Sequence, residues 1–177
     1  MPSLKIVEYP DPILREQSVP VADFNSAVSA LVDNLIDTLN STTGIGLSAP
    51  QVGCSYQIMV MDLSEDKSDP QVLINPKIVS KSGFAIAQES CLSIPGVSAN
   101  IIRSGSIRIV AKTLSGSSIE SDFENMHAIC VQHEIDHLQG KLFIDRVSRL
   151  RKLRFKNTLN ALEHEQATAP GGKAQAV

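Results

Sequence analysis

The sequence is poor in cysteine, has little excess charge and contains no long apolar run. Its three cysteines are an odd number without the spacing of a disulfide framework, which indicates a reducing compartment. The net charge of -3 gives no general signal for nucleic-acid binding, so we expect no DNA partner. No apolar stretch approaches the ~20 residues that a membrane-spanning helix needs.

The start of the chain also lacks the basic-then-apolar pattern of an export signal. We therefore expect a cytoplasmic protein with no membrane partner, and an organellar protein without its transit peptide is the alternative. A chain of 177 residues suits one domain with a sizeable core. Segment 166–177 is polar and contains proline and glycine, which predicts a flexible tail after a domain of residues 1–165.

The hydrophobic pattern predicts a mixed α+β fold. An N-terminal helix is expected at about residues 25–38 and a C-terminal helix at about residues 147–165. Short strands lie between them, joined by polar turns rather than by helical crossovers, which favours antiparallel sheets. The predicted strands are 57–63, 72–79, a stretch around residue 85, 107–114 and 119–123.

The segment His133-Glu134-Ile135-Asp136-His137 reads H-E-x-x-H within a further predicted helix. Histidines four residues apart lie on one helix face, about 6 Å apart along the axis, so both can bind one metal ion. Glu134 lies about 100° further round the helix, where it can take a proton from water at the metal. An ordinary amphipathic helix with hydrogen-bonded or solvated histidines is the alternative.

A third ligand has to come from elsewhere, since Phe143 stands where the long zinc-peptidase motif has its third histidine. Cys91, in a polar segment before a proline, would complete a Cys-His-His site with an open fourth position. Cys130 is the competing candidate for the third ligand. A metal between the two histidines would, however, lie about 7.5 Å further along the helix axis than Cys130, which argues against it. A zinc metallopeptidase that uses Glu163 or Glu165 instead is the alternative function.

Residues 44–53, which read GIGLSAPQVG, are rich in glycine and small side chains. Glycine lets backbone N–H groups approach a ligand closely and allows positive φ angles. Taken alone, such a stretch usually indicates only a tight turn.

Together the three blocks resemble the peptide deformylase family. The family pattern joins a G-x-G-x-A-A-x-Q loop, an E-G-C-L-S segment and an H-E-x-x-H helix, and here these read GIGLSAPQ, ESCLS and QHEIDHLQG. The opening V-E-Y-P-D-P-I-L-R is also similar, so the resemblance covers nearly the whole chain. Two residues depart from the pattern: Ser48 replaces the first alanine of the loop, and Ser90 replaces the glycine before the cysteine.

The resemblance implies a metal-dependent hydrolase that removes the N-formyl group from the formyl-methionine of nascent polypeptides and releases formate. It also implies antiparallel sheets around the central H-E-x-x-H helix, with residues 1–165 as the catalytic domain. One divalent ion would be held by Cys91, His133 and His137, with Glu134 as general base. Family members use ferrous iron, and zinc, nickel or cobalt also suit this donor set.

The same resemblance assigns roles around the metal. The Gln51 side-chain amide and the Leu92 backbone N–H would stabilise the charge that develops on the formyl oxygen, and Gly46 would hydrogen-bond the substrate backbone. Four residues would line an apolar pocket for the methionine side chain, or else only pack in the core: Ile45, Met126, Ile129 and Cys130.

Residues 146–156 carry six basic and no acidic side chains: Arg146, Arg149, Arg151, Lys152, Arg154 and Lys156. Such a run is usually a solvated helix face, but it can also bind rRNA phosphates without base specificity. The resemblance also implies docking near the ribosome exit through a C-terminal helix, as in bacterial family members. We therefore predict the ribosome as a partner, and we expect the enzyme itself to be a monomer.

A catalytically silent, ribosome-associated metal-binding module is the third possible function. The intact set of metal ligands and general base argues against it.

Overall fold

A computed structural model describes residues 3–168 of the chain and has the predicted α+β fold. Within these residues the strands form two antiparallel sheets. The larger has five strands in the order β1-β2-β3-β6-β7, and the smaller pairs β4 with β5. The strands are β1 (Gly46–Ser48), β2 (Ile58–Met61), β3 (Gln71–Ser82), β4 (Ala85–Cys91), β5 (Ile94–Arg103), β6 (Ser106–Lys112) and β7 (Ser118–Glu124).

Helix α1 (Ser26–Asn40) begins where the sequence provides an N-cap. The Asn25 side chain accepts hydrogen bonds from the backbone N–H groups of Ala27 and Val28, which would otherwise be unpaired. One face of the helix is buried against β1 and β2. This packing fixes β1, which becomes one wall of the cleft described below.

Helix α2 (Asn125–Leu138) carries the H-E-x-x-H motif and packs against β1, β2, β6 and β7. Every residue from Ala128 to Leu138 is buried, including both histidines. A surface helix normally buries only an apolar stripe. Burial of the polar positions as well means that they must find partners inside the protein.

The C-terminal helix is not continuous as predicted. A short helix α3 (Arg149–Lys152) leads through a 3-10 turn, Leu153–Phe155, into α4 (Lys156–Thr168). Leu150 and Leu153 are exposed, whereas Leu159 and Leu162 pack on the domain. Helix α4 extends three residues into the predicted tail, and residues 169–177 of that tail lie outside the described part of the chain.

Strand β5 is absent from the sequence-based layout, and β4 is longer than predicted. The segment IPGVSANIIR opens with proline and glycine, which usually indicate a loop. Its burial nevertheless alternates, with Val97 and Ile101 inside and Ser98 and Ile102 outside, as pairing with β4 requires. Among residues 3–168, no helix is both long and apolar enough to cross a membrane.

Candidate active site

Three potential metal ligands meet where β4 ends beside helix α2. The Cys91 Sγ atom lies 3.2 Å from His137 Nε2, and the ligand atoms of Cys91, His133 and His137 all lie within 4.8 Å of one another. A thiolate and two imidazoles are a donor set that holds zinc and other divalent transition metals with a further position open. The three side chains therefore fit a single divalent ion.

The ring of His133 is oriented by Glu89. The Glu89 Oε2 atom lies 2.8 Å from His133 Nδ1, which leaves Nε2 as the free nitrogen for a metal. Glu89 precedes Cys91 by two residues on β4, so both side chains lie on the same face of the strand. The strand thus supplies one ligand and the partner of a second ligand.

The two buried thiols near the cleft differ in their electrostatic surroundings. Burial favours a neutral Cys91 thiol, but the neighbouring His137 and His133 imidazoles outweigh this and lower the pKa of Cys91 to about 5. A thiolate, the form that binds metals, is therefore favoured at neutral pH. By contrast, burial raises the pKa of Cys130, whose Sγ atom contacts the Ile45 carbonyl oxygen at 3.6 Å. These surroundings favour Cys91 over Cys130 as the metal-binding cysteine.

A cleft of about 420 Å³ opens beside the potential ligands, between the loop that leads into β1 and strand β4. Cys91, His133 and Glu134 line it, whereas His137 does not. The other residues that the sequence analysis singled out for oxyanion or substrate binding also line it: Ile45, Gly46, Gln51, Leu92, Met126, Ile129 and Cys130. Ile45 and Met126 are partly exposed at its rim, while Ile129 and Cys130 are buried.

Strand β1 approaches helix α2 very closely at Gly46. A Cβ atom added there would lie 2.7 Å from both Cys130 Sγ and Glu134 Oε1, a separation that real Cβ atoms do not show. A larger residue would therefore have to displace the Cys130 and Glu134 side chains or the strand itself. Glycine at this position therefore brings the edge of β1 next to Glu134.

Glu134 is buried in the cleft wall with one carboxylate oxygen free of protein partners. Its exposed fraction is 3%, and within residues 3–168 its Oε2 atom has no hydrogen-bond partner. Burial is the largest influence on this carboxyl group and raises its pKa. A carboxylate in such surroundings is a stronger base than one in water, as proton transfer requires.

A buried charge network lies beside the candidate site, and it was not predicted from the sequence. Arg103 on β5 donates to both oxygens of Glu89, at 2.7 and 2.8 Å, and also pairs with Asp136. Asp136 in turn accepts two hydrogen bonds from Arg146, both at 2.6 Å. The sequence indicates this network only through the positions of two acidic residues: Glu89 lies two residues before Cys91, and Asp136 directly precedes His137.

We expect replacement of Arg103 by leucine to destabilise the fold by about 3–5 kcal/mol, because it leaves the buried Glu89 carboxylate without its arginine and removes one of the two arginines that pair with Asp136. Urea unfolding measures the loss. The matched control is Arg108→Leu, since Arg108 also holds a carboxylate with two hydrogen bonds, to Asp122, but on the surface. Its removal should change the stability little. Equal losses in both variants would contradict the structural role assigned to the Arg103 network.

The glutamates considered as the third ligand of a peptidase lie outside the group of potential metal ligands. Glu163 accepts a hydrogen bond of 2.7 Å from the Tyr9 hydroxyl, and Glu165 is exposed on α4. The Phe143 ring stacks on His133, with centroids 6.2 Å apart. Among the residues that the structure describes, Cys91, His133 and His137 are the one group of three potential ligands close enough to share an ion.

Comparisons with known proteins place these features in one family. The profile of the family described as "Polypeptide deformylase" matches residues 3–153. A peptide deformylase of Alkalilimnicola ehrlichii is 43% identical over 174 residues, covering 98% of this chain and 98% of that protein. One from Pseudomonas aeruginosa is 43% identical over 168 residues, covering 94% of this chain and 100% of that protein.

Solved structures are similar over the same extent. The crystal structure of a peptide deformylase from Legionella pneumophila matches with a TM-score of 0.87 at 36% identity, covering 96% of this chain and 100% of that one. The plant peptide deformylase PDF1B also gives a TM-score of 0.87, at 38% identity, covering 97% of this chain and 96% of that one.

Proposed function

The chain belongs to the polypeptide deformylase family, whose members remove the N-formyl group from nascent peptides, and we propose which of its residues carry out this reaction. The metal ligands are Cys91, His133 and His137, and the general base is Glu134. The observation that carries the proposal is the meeting of these three ligand side chains beside a buried carboxylate at one end of the cleft. Release of formate from formyl-methionyl peptides is the test.

The protein residues hold and orient the metal. Cys91 supplies a thiolate, and Glu89 keeps the Nε2 atom of His133 directed at the ion. A divalent ion held by these residues would lower the pKa of water and would polarise the formyl carbonyl group. We propose iron(II) as the native ion; zinc(II), nickel(II) and cobalt(II) suit the same donors.

Glu134 moves the proton. Its free Oε2 atom takes a proton from the attacking water and then delivers it to the nitrogen of the leaving peptide amine. The formyl carbon becomes formate, and the peptide gains a free N-terminus. Since the Glu134 pKa is raised by burial, the carboxyl group can both accept and release the proton.

Two donors stabilise the negative charge on the formyl oxygen. The Gln51 Nε2 atom lies 3.6 Å from Cys91 Sγ, which places an N–H donor beside the ligand group. Leu92 follows Cys91 directly and lines the cleft, and its backbone N–H is the second proposed donor. Fixed donors of this kind stabilise the charge that appears only during the reaction.

The peptide substrate binds along the edge of β1. This strand is at the end of the five-stranded sheet, so its outer edge can pair with an extended peptide, with Gly46 as the contact. Ile45, Met126, Ile129 and Cys130 form the wall that accepts the methionine side chain. We propose residues 1–165 as the catalytic domain of a cytoplasmic monomer.

We further propose that the basic segment 146–156 binds the ribosome near the exit of the nascent chain. Arg149, Arg151 and Arg154 are exposed, and within residues 3–168 none of them forms an ion pair. Two exposed leucines, Leu150 and Leu153, lie among these cations. Unpaired arginines can bind rRNA phosphates, and binding near the exit would place the cleft close to newly formed substrate.

Changing Arg149, Arg151 and Arg154 to glutamate should weaken binding to purified ribosomes and make it less dependent on salt. The slope of log affinity against log salt should fall by roughly one for each phosphate contact removed. The control changes Lys5, Lys77 and Lys81 to glutamate, an equal change of charge at exposed positions outside the segment. Both variants should hydrolyse free formyl peptides normally. Equal ribosome affinity in the two variants would leave segment 146–156 as a structural element.

A further inference from the structure

Ser48 is a fully buried serine at the position where the family pattern has alanine. Two of its donors point at one atom. The Ser48 backbone N–H and the Ser48 hydroxyl both donate to Gln51 Oε1, each at 2.8 Å. Both lone pairs of that amide oxygen are therefore occupied, one of them by a hydroxyl that alanine lacks.

This arrangement determines which end of the Gln51 amide faces the cleft. An amide has an acceptor oxygen at one end and a donor nitrogen at the other, and the two exchange places when the group rotates by ~180°. In the observed orientation Nε2 is directed toward Cys91 Sγ, at 3.6 Å. After rotation, the amide NH₂ would face the Ser48 backbone N–H, which can only donate, in a site of 1% exposure, and unpaired buried polar groups are costly.

We propose that Ser48 is a positioning residue for deformylation. Its hydroxyl holds the Gln51 amide so that the amide N–H donor faces the formyl oxygen. The inference rests on the proposed function, in which Gln51 stabilises that oxygen. Alanine, the residue of the family pattern, offers only a backbone donor at this position. The serine therefore adds a second hydrogen bond to a preorganised donor, which should raise turnover rather than substrate affinity.

The test is kcat and KM for a formyl-methionyl peptide in four proteins: the wild type, Ser48→Ala, Gln51→Ala and the double variant. Ser48→Ala should lower kcat by about 3- to 10-fold, the worth of one neutral hydrogen bond, and leave KM unchanged. In the Gln51→Ala background the same change should have no effect, because the group that Ser48 positions is gone. Ser18→Ala, which removes another buried serine hydroxyl, should leave kcat unchanged.

The outcomes separate the inference from the proposed function. If Gln51→Ala leaves kcat unchanged, the oxyanion role of Gln51 is wrong. If Gln51→Ala lowers kcat while Ser48→Ala does not, only the role of Ser48 is wrong. An equal effect of Ser48→Ala in both backgrounds would place the hydroxyl on another group, and Glu134 lies within its reach. A lowered melting temperature without a change in kcat would make Ser48 purely structural.

Discussion

Replacement of Glu134 by glutamine is expected to lower kcat for formyl-methionyl peptides by roughly 10²-fold or more, the usual worth of a general acid–base group. Glutamine has nearly the same shape but cannot accept the proton of the attacking water. Since Glu134 is not a ligand, the bound metal measured by elemental analysis should stay at the wild-type level. The loss should appear in kcat, because the proton is transferred only during the reaction.

The controls are Glu163→Gln and Glu165→Gln, which change the two carboxylates that a peptidase of this motif would need on α4. Both residues are exposed, and neither belongs to the group of potential ligands. Their variants should keep metal and activity. Near-normal turnover in a metal-loaded Glu134→Gln enzyme would contradict the assignment of the base.

Cys91→Ala should abolish activity and greatly weaken metal binding, because two imidazoles alone hold a divalent ion poorly. The prediction follows from the position of Sγ, 3.2 Å from His137 Nε2, and from the low pKa of Cys91, about 5. The metal affinity can be measured without any assay of turnover, by competition with a chelator. We expect the variant to lose its metal at chelator concentrations that leave the wild type loaded.

Cys130→Ala is the matched control, since it also removes a buried thiol from the cleft wall. The high pKa of Cys130 and its contact with the Ile45 carbonyl oxygen favour a neutral thiol. This variant should keep the metal stoichiometry and lose activity only modestly. Loss of metal from Cys130→Ala but not from Cys91→Ala would reverse the choice of ligand.

Much of the fold was predictable from local patterns. Helix α2 follows from apolar residues at three- and four-residue steps, and α1 from the apolar stripe within about residues 25–38. The break between α3 and α4 was not predictable, because no glycine or proline interrupts residues 149–168. Strand β5 was missed because its Pro-Gly start indicated a loop, while pairing with β4 decides its conformation.

The candidate ligands could be named from the sequence because metal chemistry limits the choice to a few residue types. Their surroundings could not. Arg103 is 14 residues from Glu89 and 33 from Asp136 in the chain, and the fold brings these groups together. The contact of the Ser48 hydroxyl with Gln51 likewise could not be predicted without the folded structure. The sequence showed only that Ser48 departs from the family pattern.

The most direct measurement of the central claim is formate release from a formyl-methionyl peptide by the iron- or nickel-loaded protein. The same peptide without its formyl group serves as the peptidase control. The expected result is stoichiometric formate and an intact, deformylated peptide, with no cleavage of the control. Removal of the metal should abolish release, and adding it back should restore it. Cleavage of internal peptide bonds without formate release, or no reaction by the loaded protein, would contradict the proposed function.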